Sequence, residues 1–132
     1  MNLKILEIAS DTSNLRKIKN FTHSFKLKNS FCGDEIKIEL IMKNKKIKDF
    51  GYQGKSCVYC QATASMLSKK VIDFNKDQIN ELCDFSKNFF SNENLTFKKK
   101  WKFLHNLLNK KNLARKECIL LPFNVLKKIV SD

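Results

Sequence analysis

Apolar and polar residues alternate along three stretches in the first half of the chain, and then the period changes. Phe21, His23, Phe25 and Leu27 fall at every second position, the spacing of one face of a half-buried strand. Ile36, Ile38, Leu40 and Met42 repeat that spacing. Asn44-Lys45-Lys46 reads as a reversal, and Ile47 to Tyr52 as a third strand. Three consecutive strands with short connections predict an antiparallel meander with one covered face. Ahead of it, Leu3, Ile5, Leu6 and Ile8 predict a short amphipathic helix within residues 1 to about 16.

After Gly54 the period becomes helical. Cys57 to Val71 is rich in Ala, Ser and Met and has neither Gly nor Pro, which predicts a helix with Ser56 as its N-cap. Asn75 to Phe90 carries Ile79, Leu82, Phe85, Phe89 and Phe90 at helical spacing. Trp101, Leu104, Leu107 and Leu108 mark a third helix, and Pro122 is expected to open a last short one, Phe123 to Val130. Strands first and helices after them make an α+β fold, a three-stranded antiparallel sheet packed against several helices. No linker rich in Pro, Gly or Ser divides the sequence, and residues 1–132 are read as one domain.

The net charge of +13 raises a nucleic-acid-binding reading, a basic module with a structural zinc. The basic residues, however, are nearly all Lys, with only Arg16 and Arg115 offering the bidentate fork that phosphate and base recognition favour. The lysines are also spread along the chain, so the charge is read as a solvated surface, able to help docking to an acidic partner. No apolar run approaches the roughly 20 residues of a membrane span, and no membrane partner is expected. Acidic Glu7 and Asp11 interrupt the start of the chain, which does not resemble a secretory signal. Five cysteines, an odd count, argue against a pure disulfide framework. A cytoplasmic protein with reduced thiols, open to metal or sulfur chemistry, is the expectation.

The most informative run is Cys32-Gly33-Asp34. In an extended segment residues two apart share a side, so this run can present a thiol and a carboxylate together. Gly33 between them permits close approach to the backbone. Cys57 and Cys118 would complete a four-donor set of sulfur and oxygen suited to zinc or iron. Cys57-Val58-Tyr59-Cys60 is a CxxC at a helix start, which alone could be a redox pair or two zinc ligands. Cys60 otherwise reads as a small core residue, as does Cys83 beside Leu82 and Phe85.

These residues resemble the U-type iron–sulfur cluster scaffolds: IscU, SufU and the N-terminal domain of NifU. Their Asn-Pro-x-Cys-Gly-Asp motif stands here as Asn29-Ser30-Phe31-Cys32-Gly33-Asp34. Their Gly-x-Gly-Cys segment stands as Gly54-Lys55-Ser56-Cys57, followed by Gln61-Ala62-Thr63-Ala64-Ser65-Met66-Leu67. Their late cysteine stands in Ala114-Arg115-Lys116-Glu117-Cys118-Ile119-Leu120-Leu121-Pro122. The long stretch between Cys57 and Cys118 and the Ala-Arg-x-x-Cys pattern are most like SufU. IscU places a His directly before its third cysteine, where this chain has Glu117; His105 is read as a surface or packing residue.

The resemblance implies a protein that accepts sulfur from a cysteine desulfurase of the SufS, NifS or IscS kind. It would be a scaffold for a transient iron–sulfur cluster on Cys32, Cys57 and Cys118, later passed to apo iron–sulfur proteins. Cys32 and Cys118 are the candidate persulfide acceptors. The alternative is a SufU-like, zinc-dependent sulfurtransferase partner that activates the desulfurase, with zinc on Cys32, Asp34, Cys57 and Cys118. Arg115 would hold the partner or lower a thiol pKa. Whether the chain counts as an enzyme is left open by its sequence.

Overall fold

Three strands form an antiparallel sheet in the order β1 (His23–Lys28), β2 (Glu35–Lys43), β3 (Lys46–Lys55). This computed structural model describes residues 3–30, 32–92 and 97–131. Among the described residues, four α-helices accompany the sheet: α1 (Leu3–Ser10), α2 (Val58–Lys70), α3 (Lys76–Phe89) and α4 (Lys116–Val130). The fold is therefore the expected α+β arrangement of a meander and several helices. No described helix is long and apolar enough to cross a membrane.

The alternation places the core as expected. Ile36, Ile38 and Leu40 of β2 sit across from Gly54, Tyr52 and Phe50 of β3, and partners in register share a face. These side chains are almost wholly buried, beneath α2 and α4, which pack on the sheet. Each fully buried side chain of this kind contributes about 1.5–3 kcal/mol. Asn44 and Lys45 turn the β2–β3 hairpin with φ of 55° and 65°, the left-handed pair that matches the twist of the flanking strands. A second apolar region gathers Phe85, Phe89, Phe97 and Trp101 with ring centroids 5.3–6.5 Å apart. The chain between α1 and β1 crosses the other face of the sheet, where the Ile18 N–H donates to buried Glu39 over 3.0 Å.

Several boundaries depart from the sequence pattern. The first helix ends at Ser10 rather than near residue 16, and Met1 and Asn2 lie outside the described residues. On β1 only Ser24 and Leu27 are partly covered. His23 and Phe25 are exposed because the strand is at the sheet edge, and Phe21 precedes it. The N-cap of α2 is Cys57, not Ser56, and no side chain caps it; the Ser56 hydroxyl instead accepts from the Gln61 amide. The expected third helix is two 3-10 segments, Lys99–Leu104 and Lys110–Arg115. Trp101, Leu104 and Leu107 are spaced by three, which aligns side chains in a 3-10 helix as well as it approximates an α-helical face. Pro122 lies inside α4, not at its start. Having no N–H, it gives nothing to the Cys118 carbonyl one turn back. The α3 start is the regular case, with Asn75 and Gln78 forming a reciprocal capping box.

Gly54 is the backbone position on which the approach of β3 to β2 depends. Its φ is +154°, and a Cβ there would run into the Glu35 carbonyl. Only glycine lets β3 lie this close to the start of β2. Gly54→Ala is expected to destabilise the protein by more than about 2 kcal/mol in urea unfolding. An unchanged midpoint would show that the close approach is dispensable.

Candidate metal centre

The loop between β1 and β2 is closed by its own backbone. The Asn29 N–H donates to the Asp34 carbonyl over 2.7 Å, and the Gly33 N–H donates to the Asn29 carbonyl over 2.8 Å. Gly33 takes φ +75°, and no atom of the described residues lies within 4 Å of where its Cβ would be. It is therefore the left-handed backbone, not crowding, that calls for glycine here. The turn leaves Cys32 exposed and Asp34 buried, at 7% exposure. Phe31, within the same motif, lies outside the described residues.

Two helix starts meet this turn. The Cys57 N–H, at the N-cap of α2, donates to Asp34 Oδ1 over 3.1 Å. Cys118, in the first turn of α4, brings its sulfur to 3.6 Å from Cys32 Sγ. Ligand atoms of Cys32, Asp34 and Cys118 all lie within 4.8 Å of one another. Cys57 stands beside this trio. Burial, together with the neighbouring Cys57 and Cys32 thiols, pushes the Cys118 thiol well above its ordinary range. Both α2 and α4 begin at the thiols, and the positive end of a helix favours anionic ligands.

Other sequence candidates fall in different places. The Arg115 guanidinium is exposed at the N-cap of α4 and lies over the Tyr59 ring, 5.7 Å from its centroid. Cys60 is fully buried one turn into α2, and burial pushes its thiol up to about 12. Cys83 is buried too, bonded to the Phe123 carbonyl and likewise raised to about 12 by burial. Neither joins the trio of close ligand atoms. His105 is exposed at the end of a 3-10 segment, and Glu117 is exposed beside Cys118. Sequence reasoning missed that Asp34 braces the start of α2; no local pattern announces a carboxylate that accepts from a backbone 23 residues away.

A family profile described as the NifU-like N terminal domain matches residues 2–84. The chain belongs to this NifU-like family. An iron–sulfur cluster assembly scaffold protein IscU of Thermotoga maritima is 30% identical over 124 residues, covering 93% of this chain and 87% of the relative. The N-terminal part of a NifU-like protein from Brucella abortus superposes with a TM-score of 0.87 at 19% identity, covering 98% of this chain and 91% of that one. A protein described as a putative cluster assembly scaffold for the SUF system of Fervidobacterium islandicum AW-1 reaches 0.90 at 22% identity, covering 98% and 96%. These two likenesses show the fold. Within this NifU-like chain the profile match spans Cys32, Asp34 and Cys57, while Cys118 lies beyond it.

The donors fit a thiophilic cation. Asp34 Oδ2 is buried and has no hydrogen-bond partner among the described residues. Desolvating a carboxylate costs several kcal/mol, and one charge-assisted bond returns about 1.5–3 kcal/mol. A cation at the free oxygen would offset the difference. Sulfur and carboxylate donors together suit zinc or iron and leave a more exchangeable site than four thiolates would.

The burial pattern sets the thiol reactivity. At about pH 8 a thiol raised to about 12 is ionised to only about one part in 10⁴. Metal-free folded protein treated with a thiol reagent should therefore label at Cys32 first, with Cys60 and Cys83 silent until denaturant is added. Early labelling of Cys60, read by peptide mapping, would contradict its buried placement.

Proposed function

We propose that this NifU-like chain is an iron–sulfur cluster assembly scaffold that accepts sulfur from a cysteine desulfurase. Its cargo is a transient cluster on Cys32, Cys57 and Cys118. The observation that carries this reading is the convergence of Cys32, Asp34 and Cys118 ligand atoms within 4.8 Å around an unpartnered carboxylate oxygen. Cys32, exposed on its turn, is the thiol a protein-bound persulfide can reach, and Cys118 stays shielded in α4. Cys57 and Asp34 hold the turn against α2 through their hydrogen bond. Asp34 adds an oxygen donor, which keeps the cargo releasable. Arg115 and Tyr59, side by side at the rim, are the proposed contact for the desulfurase. Release to apo iron–sulfur proteins completes the cycle.

The mixed donor set supports a second reading, the SufU-like zinc-dependent sulfurtransferase partner. Cys32, Asp34, Cys57 and Cys118 would hold the ion, and zinc would keep its thiol ligands deprotonated at neutral pH. The positive surface is read as solvated, serving acidic protein partners rather than nucleic acid.

Anaerobic addition of ferrous iron and sulfide should give a labile, visibly absorbing cluster that transfers to an apo acceptor. Cys32→Ser, Cys57→Ser and Cys118→Ser should each lose it; full retention in all three would remove the scaffold reading. Metal analysis separates the two readings. Protein prepared without added metal and holding stoichiometric zinc, with desulfurase turnover that falls at least about tenfold on Asp34→Ala, would favour sulfur transfer. Absence of zinc together with a transferable cluster would favour the scaffold.

A further inference from the structure

We propose that Cys32 and Cys118 are a resolving pair, in which buried Cys118 reduces a sulfur carried by exposed Cys32 to sulfide. This rests on the reading that the chain accepts sulfur. Sulfur delivered by a desulfurase arrives as sulfane sulfur, which must gain two electrons before it can enter a cluster as sulfide. The chain holds a source of those electrons next to the acceptor.

The two sulfurs are 3.6 Å apart, a non-bonded contact. A disulfide requires about 2.05 Å, so the pair must close by roughly 1.5 Å. The two partners are set differently. Cys32 is exposed on a turn whose Gly33 has open space around it, whereas Cys118 is set in α4 and 5% exposed. Their exposures also divide the roles: a donor protein can reach Cys32, and Cys118 waits behind it.

The step balances without further reagents. The Cys118 sulfur attacks Cys32 Sγ, the bond between Cys32 Sγ and the carried sulfur breaks, and that sulfur leaves with its electron pair. It departs as hydrogen sulfide, carrying its own proton and the one from Cys118. The two thiols are oxidised to a Cys32–Cys118 disulfide while the sulfane sulfur is reduced. A thiol or dithiol reductant resets the pair. Both sulfurs must be free of metal, so the step belongs to the metal-free protein. It uses neither Cys60 nor Cys83, which do not join the group of close ligand atoms formed by Cys32, Asp34 and Cys118.

The test loads metal-free protein anaerobically with inorganic polysulfide, removes the excess by desalting, and adds no reductant. Sulfide is measured colorimetrically, and cysteine linkages are read by mass spectrometry after alkylation. The expected result is one sulfide released per Cys32–Cys118 disulfide formed. In Cys118→Ser, sulfide should fall to the buffer background while Cys32 keeps the mass of one added sulfur. The wild-type linkage map stands on its own should that variant fold poorly. Persistent persulfide on wild-type Cys32, a wild-type Cys32 with neither added sulfur nor a bond to Cys118, a disulfide to Cys57 or Cys60 instead, or undiminished release from Cys118→Ser would each overturn the proposal. Cluster reconstitution supplies sulfide directly and does not use this step, so failure of one experiment leaves the other's conclusion intact.

Discussion

A single hydrogen bond, from the Cys57 N–H to Asp34 Oδ1, ties together the parts of the protein that carry its chemistry. It joins the Cys32-Gly33-Asp34 turn, between two strands, to the N-cap of the helix after the sheet. Its strength comes from its setting: a charged acceptor, buried, receiving a donor from the positive end of a helix. The rest of the fold is arranged to make that meeting possible. Gly54 lets β3 run close against Glu35, so the chain emerges beside Asp34 three residues before Cys57. Gly33 supplies the left-handed turn that separates exposed Cys32 from buried Asp34. The layer of Ile36, Ile38, Leu40, Phe50 and Tyr52 then fixes both strands beneath α2 and α4.

The site so built is asymmetric, and the asymmetry suits a carrier. One thiol faces solvent, one stands at a half-buried helix N-cap, and one is enclosed in the first turn of α4. Asp34 uses one oxygen to brace the backbone and leaves the other without a partner among the described residues, beside the cluster of donors. A permanent structural centre would be better served by four enclosed thiolates. A site with an accessible thiol and a carboxylate can be loaded and unloaded.

Much of this was legible in the residues themselves. Alternation at Ile36, Ile38 and Leu40 marked the buried face of the sheet, because a strand buried on one side has a strict period of two. The three motifs around Cys32, Cys57 and Cys118 pointed to the NifU-like family. Other features were hidden because the sequence signal was degenerate or non-local. Spacing by three at Trp101, Leu104 and Leu107 fits two kinds of helix, and the tighter one formed over Lys99–Leu104, with Leu107 in the turn after it. Phe25 has the period of a covered residue, but period cannot say that its strand lies at the sheet edge. Pro122 reads as a helix opener by propensity, yet Lys116–Val130 encloses it through packing against the sheet and α2. The Asp34–Cys57 hydrogen bond has no sequence signature, since it depends on where β3 delivers the chain.

The central claim is that Cys32, Asp34, Cys57 and Cys118 act as one metal-binding set. A crystal structure of the zinc-loaded protein tests it most directly. The account predicts a tetrahedral ion with three cysteine sulfurs at about 2.3 Å and one Asp34 oxygen at about 2.0–2.2 Å. An ion bound elsewhere, or one at this turn with Cys118 or Asp34 facing away, would contradict it.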